Sequence, residues 1–219
     1  MYTWNFGIIT DNLEVLVRGC IVTLELTAVS LILATVLGLL LSLGSLSRSL
    51  PIRWFSIGFV ELFRAAPALV VLIWIYYALP VLIGVNLNSF VSAVLALTLV
   101  QAAYEAEIFR AGIEAIERGQ VEAARSVGMS HAQTMRRIVL PQAVRIMIPP
   151  FVSATASLLK YSSLASVVSV YELLNQGTNI IQTSFRPLEV YTAVAVLYLA
   201  MIIPITQISR VLERRLKNR

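Results

Sequence analysis

The sequence has few charged residues for its length. They make up 13% of its 219 residues, whereas hydrophobic residues make up 58% and the mean hydropathy is +0.82. A soluble domain has roughly 25% charged residues, which help to cover its water-facing surface. The chain lacks the charge for such a surface, so its composition predicts an integral membrane protein.

Residue types that many enzymes depend on are also scarce. Asp11 is the sole aspartate, His131 the sole histidine and Cys20 the sole cysteine. These counts exclude a paired-aspartate protease, an intrachain disulfide bond and a metal site built from several histidines and cysteines. The two lysines, Lys160 and Lys217, do not lie in a GxxxxGKS or GxxxxGKT phosphate-binding loop. The chain is therefore not a P-loop ATPase, and we expect no catalytic residue, cofactor or metal in it.

Long apolar runs occupy most of the chain and predict an all-α fold. A membrane-spanning helix needs about 20 mostly apolar residues. The charge-free stretch 65–104 has 40 residues, which is too long for one span. Residues that favour a turn interrupt its middle, at Pro80, Gly84, Asn86 and Asn88. We therefore predict a single transmembrane domain over 1–219 with five spans, at about 19–44, 57–79, 89–109, 143–168 and 188–208.

The arginines and lysines predict the orientation, because loops rich in these residues remain in the cytoplasm. Basic residues are concentrated in three regions outside the apolar runs, at 48–53, 110–145 and 210–219, whereas the other side has only Arg18 and Arg186. With five spans, the three basic regions all lie on one side. We therefore expect the N-terminus outside the membrane and the C-terminus in the cytoplasm.

The polar segment 110–141 lies between the third and fourth predicted spans. Its first half is rich in good helix formers, and Gly128 tolerates the left-handed conformation that ends many helices. Ser130 and Gln133 have the spacing of a capping box, which starts a second short helix. Pro141 disfavours helical geometry in the residue before it. The segment therefore predicts two helices joined by a glycine turn, with the second helix ending at Pro141.

Two functions fit this predicted helix–turn–helix. Ala123 and Ala124 have minimal side chains, so a partner protein can approach the backbone closely and hold the element in a groove. A surface amphipathic helix that anchors the loop to lipid headgroups fits the same residues equally well. The residues alone leave both interpretations open.

The loop resembles the EAA motif of ABC importer permeases. The specified positions of that motif occur at the family's spacing, in Glu122, Ala123, Ala124, Gly128, Ile138, Leu140 and Pro141. In that family the loop is the coupling helix, which lies in a cleft of the ATP-binding subunit. The resemblance therefore implies the type I ABC importer permease fold, and it favours the partner-docking interpretation of the loop.

A narrower resemblance covers nearly the whole chain. Residues 61–69, ELFRAAPAL, are similar to the FRGTPLL segment of polar amino acid permeases, and residues 103–113, AYEAEIFRAGI, are similar to their AYxAEIxRGGI segment. The chain departs from the pattern at Ala65 and Ala66, which replace Gly-Thr, and at Tyr161 in KYSSL, where KDTSL is usual. These departures leave open which amino acid or analogue is carried.

The resemblance also implies the partners of the chain. These are a second permease protomer, identical or homologous, a pair of ATP-binding subunits that bind ATP and Mg, and a substrate-binding protein. ATP hydrolysis then takes place in separate subunits, and a polar amino acid crosses the bacterial cytoplasmic membrane by alternating access. The alternative is a secondary transporter or channel subunit driven by an ion gradient. Such proteins often contain inverted repeats, and the sequence shows none.

Ionisable residues at membrane depth are costly and usually face a cavity or a partner. We therefore predict a translocation path or gate from the ionisable residues of the predicted spans and their polar neighbours: Glu61, Arg64, Glu105, Lys160, Tyr161, Ser162 and Ser163. Glu61 and Arg64 lie three apart on one helix face, so they are spaced to form an ion pair, either structural or lining the path. Lys160 has no neighbouring carboxylate in the sequence and needs an anion, such as Glu61, Glu105 or a substrate carboxylate.

Overall fold

The computed structural model describes residues 2–217, and these form helices and turns without a β-strand. The α-helices are, in chain order, α1 (Gly7–Asp11), α2 (Leu13–Ser45), α3 (Leu50–Ala65), α4 (Ala68–Ile73), α5 (Leu79–Ile83), α6 (Ser89–Glu114), α7 (Arg118–Ser126), α8 (His131–Thr134), α9 (Leu140–Tyr161), α10 (Leu173–Ser184) and α11 (Pro187–Lys217). Two π-helical turns, Trp74–Ala78 and Met135–Val139, join α4 to α5 and α8 to α9, and a 3₁₀ segment, Ser162–Val168, follows α9. Of the basic residues in the tail 210–219, Arg210 has a described side chain and the others lie outside the described side chains.

Four stretches of helix are long and apolar enough to cross a membrane: Leu13–Ser45, Ser89–Glu114, His131–Val168 and Pro187–Val211. Each contains one of the spans expected from the sequence. The turn expected before α6 is also present, since Gly84 ends α5 with φ +69° and the Asn88 side chain accepts a hydrogen bond from the Val91 N–H at 2.8 Å. These two residues separate α5 from α6 at the expected position.

The expected span 57–79 is not one helix, and this part of the prediction is wrong. The stretch is a bent pair, in which Ala68–Ile83 leaves α3 at 106°. Ala66 at the break has extended backbone angles, φ −77° and ψ +135°, because Pro67 disfavours helical geometry in the residue before it. The pair makes a fifth crossing when both halves are counted as one span.

The most extensive helix packing is between α2 and α6. The buried face of α2 has many small side chains, including Gly19, Thr23, Thr27, Ser30, Ala34, Gly38 and Ser42. Small residues spaced three or four apart let two helix backbones approach closely inside a membrane. At Gly38, an added Cβ would lie 3.0 Å from both the Ala102 carbonyl oxygen and the Glu105 Cβ. The absence of a side chain at Gly38 therefore permits this close approach.

A hydrogen-bond network around the buried carboxylate of Glu172 joins α2, α10 and α11. Glu172 is fully buried and caps α10 by accepting the backbone N–H groups of Leu174 at 3.0 Å and Asn175 at 2.8 Å. The Tyr198 hydroxyl of α11 donates to the same carboxylate at 2.5 Å. On α2, the Thr23 hydroxyl accepts the N–H that begins α10 at 3.1 Å. This network fixes α10 against both α2 and α11.

Candidate functional site

The glycine turn of the predicted loop is present between α7 and α8. Gly128 has φ +84°, a conformation that glycine adopts without steric cost. The Gly128 N–H donates to the Arg125 carbonyl at 3.0 Å and the Met129 N–H donates to the Ala124 carbonyl at 3.1 Å. This pair of hydrogen bonds is the Schellman arrangement that ends a helix. The turn therefore depends on backbone geometry that a residue with a side chain would strain.

The capping box is also present, but the helix that it starts does not end where expected. The Ser130 N–H donates to Gln133 Oε1 at 2.8 Å, and the Ser130 hydroxyl accepts the Gln133 N–H at 3.3 Å. The expected end at Pro141 is wrong, since Leu140 keeps helical angles and the chain continues into α9. The π-helical turn Met135–Val139 changes the hydrogen-bond ladder just before the proline, which has no N–H to donate.

The two alanines of the motif have different environments. Ala123 is exposed beside the exposed Glu122, whereas Ala124 is only 3% exposed and packs inward. The expectation that both alanines are open to a partner is therefore wrong for Ala124. Val127, which precedes the glycine turn, is 77% exposed, so an apolar side chain projects from the loop into solvent. At the far end of the motif, Ile138 is half-buried, while Leu140 and Pro141 are exposed.

A small apolar core attaches the loop to the membrane helices. Its buried members are Ile116, Val139, Ala143 and Met147, and side chains from the end of α6 pack against them. The Gln142 amide also donates to Gln120 Oε1 at 2.7 Å and to the Ile138 carbonyl at 2.9 Å. Because packed side chains transmit displacement, a force on the loop reaches both α6 and α9.

Beside the glycine turn, α8 and the π-helical turn that follows it form a concave basic surface. An open groove of about 470 Å³ is lined by Ala132, Gln133, Arg136 and Arg137. Both arginines are exposed and form no ion pair with any described side chain. The groove therefore complements an acidic surface.

A cavity of about 310 Å³, here called the charged cavity, lies between α3 and α6. Its ionisable lining residues are Arg53, Glu61, Arg64, Glu107, Arg110 and Glu114. Arg110 makes two contacts with Glu107, at 2.6 and 3.1 Å, and one with Glu114 at 2.5 Å. Arg110 is thus held by two carboxylates of its own helix.

The predicted ion pair between Glu61 and Arg64 does not form. Arg64 instead contacts Glu107 of α6 at 3.7 Å, and its guanidinium lies 6.0 Å from the centre of the Tyr104 ring. Arg64 lies in the last turn of α3, from which its long side chain reaches across to α6. Glu61 remains exposed and has no ion-pair partner among the described side chains.

A second cavity of about 440 Å³, here called the break cavity, lies at the bend between α3 and α4. It is lined by residues 64–69 together with Val100, Tyr104, Tyr161 and Leu164. Arg64 therefore lines both cavities. Of the predicted path residues, the structure brings Glu61 and Arg64 together at the charged cavity, and Arg64 and Tyr161 together at the break cavity.

The other predicted path residues lie elsewhere. Glu105 is fully buried where α6 packs on α2, and its Oε1 accepts a hydrogen bond from the Gln101 amide at 2.9 Å. Lys160 is exposed and forms no ion pair within the described part of the chain, so its expected pairing with Glu61 or Glu105 does not occur.

Two serines beside Lys160 are engaged with their own helix. The buried Ser162 hydroxyl donates to the Leu159 carbonyl at 2.7 Å, and the Ser163 hydroxyl donates to the Lys160 carbonyl at 2.8 Å. Neither serine lines either cavity. Their hydrogen bonds support the turn from α9 into the 3₁₀ segment.

Sequence reasoning missed four ionisable lining residues of the charged cavity as site residues: Arg53, Glu107, Arg110 and Glu114. A signal was available, because the last three recur at spacings of three and four, which place side chains on one helix face. Predicting the end of the third span at residue 109 obscured that face, since α6 continues to Glu114.

Comparison with known proteins identifies the family to which the chain belongs. Residues 34–218 match the family described as "Binding-protein-dependent transport system inner membrane component". The chain is 35% identical to the probable amino-acid ABC transporter permease protein YckA of Bacillus subtilis (strain 168), with 98% of the chain and 94% of YckA covered. It is 34% identical to the probable glutamine ABC transporter permease protein GlnM of the same organism, with 98% and 99% covered. It is 31% identical to the glutamate/aspartate import permease protein GltK of Escherichia coli O157:H7, with 98% of the chain and 99% of GltK covered.

Solved structures show the same fold. The crystal structure of an amino acid ABC transporter with histidines matches 98% of this chain and 100% of its own, with 34% identity and a TM-score of 0.92. A chain of the MetNI methionine ABC transporter matches at 23% identity with a TM-score of 0.76, and covers 93% of this chain. The predicted all-α permease fold is thereby confirmed. The chain belongs to the family of binding-protein-dependent transport system inner membrane components, among the amino-acid ABC transporter permeases.

Proposed function

We propose that this chain is the membrane-spanning subunit of an ATP-driven ABC importer that carries a polar amino acid or a close analogue. The observation that carries the proposal is the exposed loop over α7 and α8. Its glycine turn and capping box lie among motif residues that are exposed: Glu122, Ala123, Gly128, Leu140 and Pro141. Relatives that match the chain from end to end are named as amino-acid, glutamine and glutamate/aspartate permeases.

The loop is the docking element for an ATP-binding subunit. Exposed Ala123 lets a partner surface approach the backbone, Val127 offers an apolar contact, and the groove containing Arg136 and Arg137 complements acidic residues. In this mode of recognition, a helix of the loop lies in a groove of the partner. ATP and Mg bind in that partner and hydrolysis takes place there, so this chain performs no chemistry. Closure of two such partners displaces the loop, and the apolar core around Val139 and Met147 passes the displacement to α6 and α9.

The translocation path runs along the broken second span. Glu61, Arg64 and Tyr161 line the two cavities there. A helix break leaves polar backbone that is tolerated at membrane depth where it lines a cavity. Lys160, exposed beside Tyr161, faces a second permease protomer or the substrate carboxylate. Glu105 supports the packing of α2 on α6 instead, as its burial indicates.

The complete importer contains further subunits and has a defined orientation. A second permease protomer, identical or homologous, encloses the path, and a substrate-binding protein delivers the amino acid on the outer side. The N-terminus faces outward and the C-terminus faces the cytoplasm of a bacterium, because the basic loops then lie inside. Access alternates between the two sides of the cytoplasmic membrane as the ATP-binding partners close and open.

Affinity purification of the tagged chain from its native membrane tests the assembly. We expect a P-loop ATPase at one copy per permease, together with a soluble binding protein, in the mass spectrum of the purified complex. Replacement of exposed Ala123 by leucine should remove the ATPase from the complex. A chain that purifies alone under conditions that preserve its fold would contradict the proposal.

A further inference from the structure

The charged cavity between α3 and α6 contains more charge than its own ion pairs use. Arg110 is bound by carboxylates on both sides, and Glu107 is bound twice by Arg110. By contrast, Arg64 has a single long contact with Glu107, at 3.7 Å. Arg53 and Glu61 form no ion pair with any described side chain. Among the described side chains, the wall of the cavity therefore presents one free carboxylate, one free guanidinium and one weakly engaged guanidinium.

The positions of two of these groups match one chemical class of ligand. Glu61 and Arg64 lie three residues apart on α3, which places their Cβ atoms about 5–6 Å apart on one helix face. An α-amino acid carries an ammonium and a carboxylate on the same carbon atom. Its ammonium can therefore contact Glu61 while its carboxylate contacts Arg64. The cavity volume of about 310 Å³ lies at the lower end of the range for small-molecule sites, roughly 300–1,000 Å³.

The charge of the wall also disfavours other ligands. Three carboxylates line the cavity together with three arginines: Glu61, Glu107 and Glu114 with Arg53, Arg64 and Arg110. A purely anionic ligand such as free phosphate would leave the Glu61 carboxylate without a partner, and a purely cationic ligand would leave Arg53 and Arg64 without a partner. A ligand with both charges suits the wall best.

We propose that the charged cavity is a second binding station for the zwitterionic backbone of the transported amino acid. Arg64 binds the α-carboxylate and Glu61 binds the α-ammonium. Because Arg64 lines both cavities, the carboxylate stays paired with one guanidinium while the amino acid moves from the break cavity into the charged cavity. The long contact between Arg64 and Glu107 is the contact that the substrate replaces, and Glu107 remains bound to Arg110. This inference rests on the function proposed above.

Protection of an introduced cysteine tests the site. Ile57 lines the charged cavity and the adjacent Gly58 does not, since nothing lies within 4 Å of a Cβ added at Gly58. Two single-cysteine variants are made in a Cys20→Ser background, one with Ile57→Cys and one with Gly58→Cys. Each is reconstituted as the complete transporter in vesicles of phosphatidylcholine and phosphatidylglycerol. The rate of alkylation by a maleimide is then measured with and without amino acid. The probe is whichever of L-glutamine, L-arginine, L-glutamate and L-cystine the unmodified transporter takes up with ATP.

We expect the probe to slow alkylation at Ile57→Cys by about tenfold at a concentration ten times its dissociation constant, because only the empty fraction of sites reacts. Alkylation at Gly58→Cys should not change. The N-acetylated and the decarboxylated forms of the probe should not protect, since each lacks one of the two charges. Adding Glu61→Gln should abolish protection, whereas Glu14→Gln, which alters an exposed pair with Arg18 far along the chain, should leave it intact.

Three results separate the possible failures. Absence of ATP-driven uptake of every polar amino acid, these four included, would overturn the proposed function and not the site alone. Normal uptake with equal alkylation of Ile57→Cys in the presence and absence of the probe would overturn the second station. Protection produced by phosphatidylethanolamine vesicles without any amino acid would assign the cavity to a zwitterionic lipid headgroup and would also overturn the proposal.

Discussion

The Arg64 guanidinium lies 3.7 Å from the Glu107 carboxylate, across the gap between α3 and α6. Arg64 comes just before the break at Ala66, and Glu107 is also bound by Arg110 in the part of α6 that leads into the loop. The contact therefore connects the broken second span to the helix that leads into the loop over α7 and α8. Arg110, Glu107 and Arg64 thus form a short series of neighbouring side chains from the loop end of α6 to the two cavities.

Replacement of Gly128 by alanine should weaken coupling between ATP hydrolysis and uptake. The φ of +84° is unfavourable for a residue with a Cβ by about 1–2 kcal/mol, so the turn between α7 and α8 will relax to another geometry. No atom lies within 4 Å of the added Cβ, so the effect arises from the backbone alone. The ratio of amino acid transported to ATP hydrolysed measures it.

Gly119→Ala is the matched control for Gly128→Ala. Gly119 lies in the same loop, has no positive φ and has open space around its Cβ position. Alanine there stabilises helical geometry by roughly 0.5–1 kcal/mol. Equal loss of coupling in both variants would count against the role of the glycine turn.

The two motif alanines should respond differently to leucine. Ala123→Leu changes an exposed position, so the protein should fold normally and lose its ATP-binding partner in co-purification. Ala124→Leu overfills a buried position, which typically costs about 1–3 kcal/mol, and should lower the midpoint of thermal unfolding in detergent. Retention of the ATPase by the Ala123→Leu variant at wild-type levels would remove this residue from the docking surface.

A methyl group at Gly38 should destabilise the bundle. Its Cβ would lie 3.0 Å from the Ala102 carbonyl oxygen and the Glu105 Cβ, so α2 and α6 must separate slightly at a cost of about 1–3 kcal/mol. Gly58→Ala is the control, because nothing surrounds that position. Thermal unfolding of the two purified variants gives the comparison, and an unchanged midpoint for Gly38→Ala would show that the two helices are not so closely packed.

The Glu172 network should make stability depend on pH. Burial raises the pKa of the Glu172 carboxyl above its ordinary value of 4.5, although the hydrogen bond from Tyr198 opposes the increase. The folded state then binds the proton more tightly than the unfolded state. Stability from this group is therefore fully present below pH 4.5 and declines as the pH rises through the raised value. As the pH is raised above 4.5, the midpoint of thermal unfolding should fall in the unmodified protein but not in Glu172→Gln. An identical dependence of the midpoint on pH in both proteins would contradict the role of Glu172.

The apolar spans, the turns and the helix caps were predictable from the sequence. The apolar runs predict the four unbroken spans. The turns and caps were predictable because each depends on a few neighbouring residues: Gly84 and Gly128 adopt positive φ angles, and Asn88 and Ser130 cap helices. The break at Ala66 was missed although Pro67 signals it, because the apolar run continues across it without a charge. Hydropathy reports burial in lipid and is insensitive to a bend.

The side-chain partners could not be predicted in the same way. Arg64 pairs across two helices with Glu107 and not with Glu61 of its own helix, since the choice depends on the distance between α3 and α6. The inward direction of Ala124 and the partner of Glu105 likewise depend on how helices pack, which a single sequence does not contain. The motif resemblance did locate the loop, because its spacing is fixed within one continuous segment.

We propose that ATP hydrolysis in a docked partner drives amino acid uptake through this chain. The most direct test reconstitutes the purified complex in proteoliposomes with its soluble binding protein and measures uptake of radiolabelled amino acids. We expect uptake only when ATP and Mg are present on the side of the loop, and we expect it to persist when ionophores abolish all ion gradients. Uptake that proceeds without ATP and stops when the ion gradients are dissipated would show a gradient-driven carrier and not an ATP-driven importer.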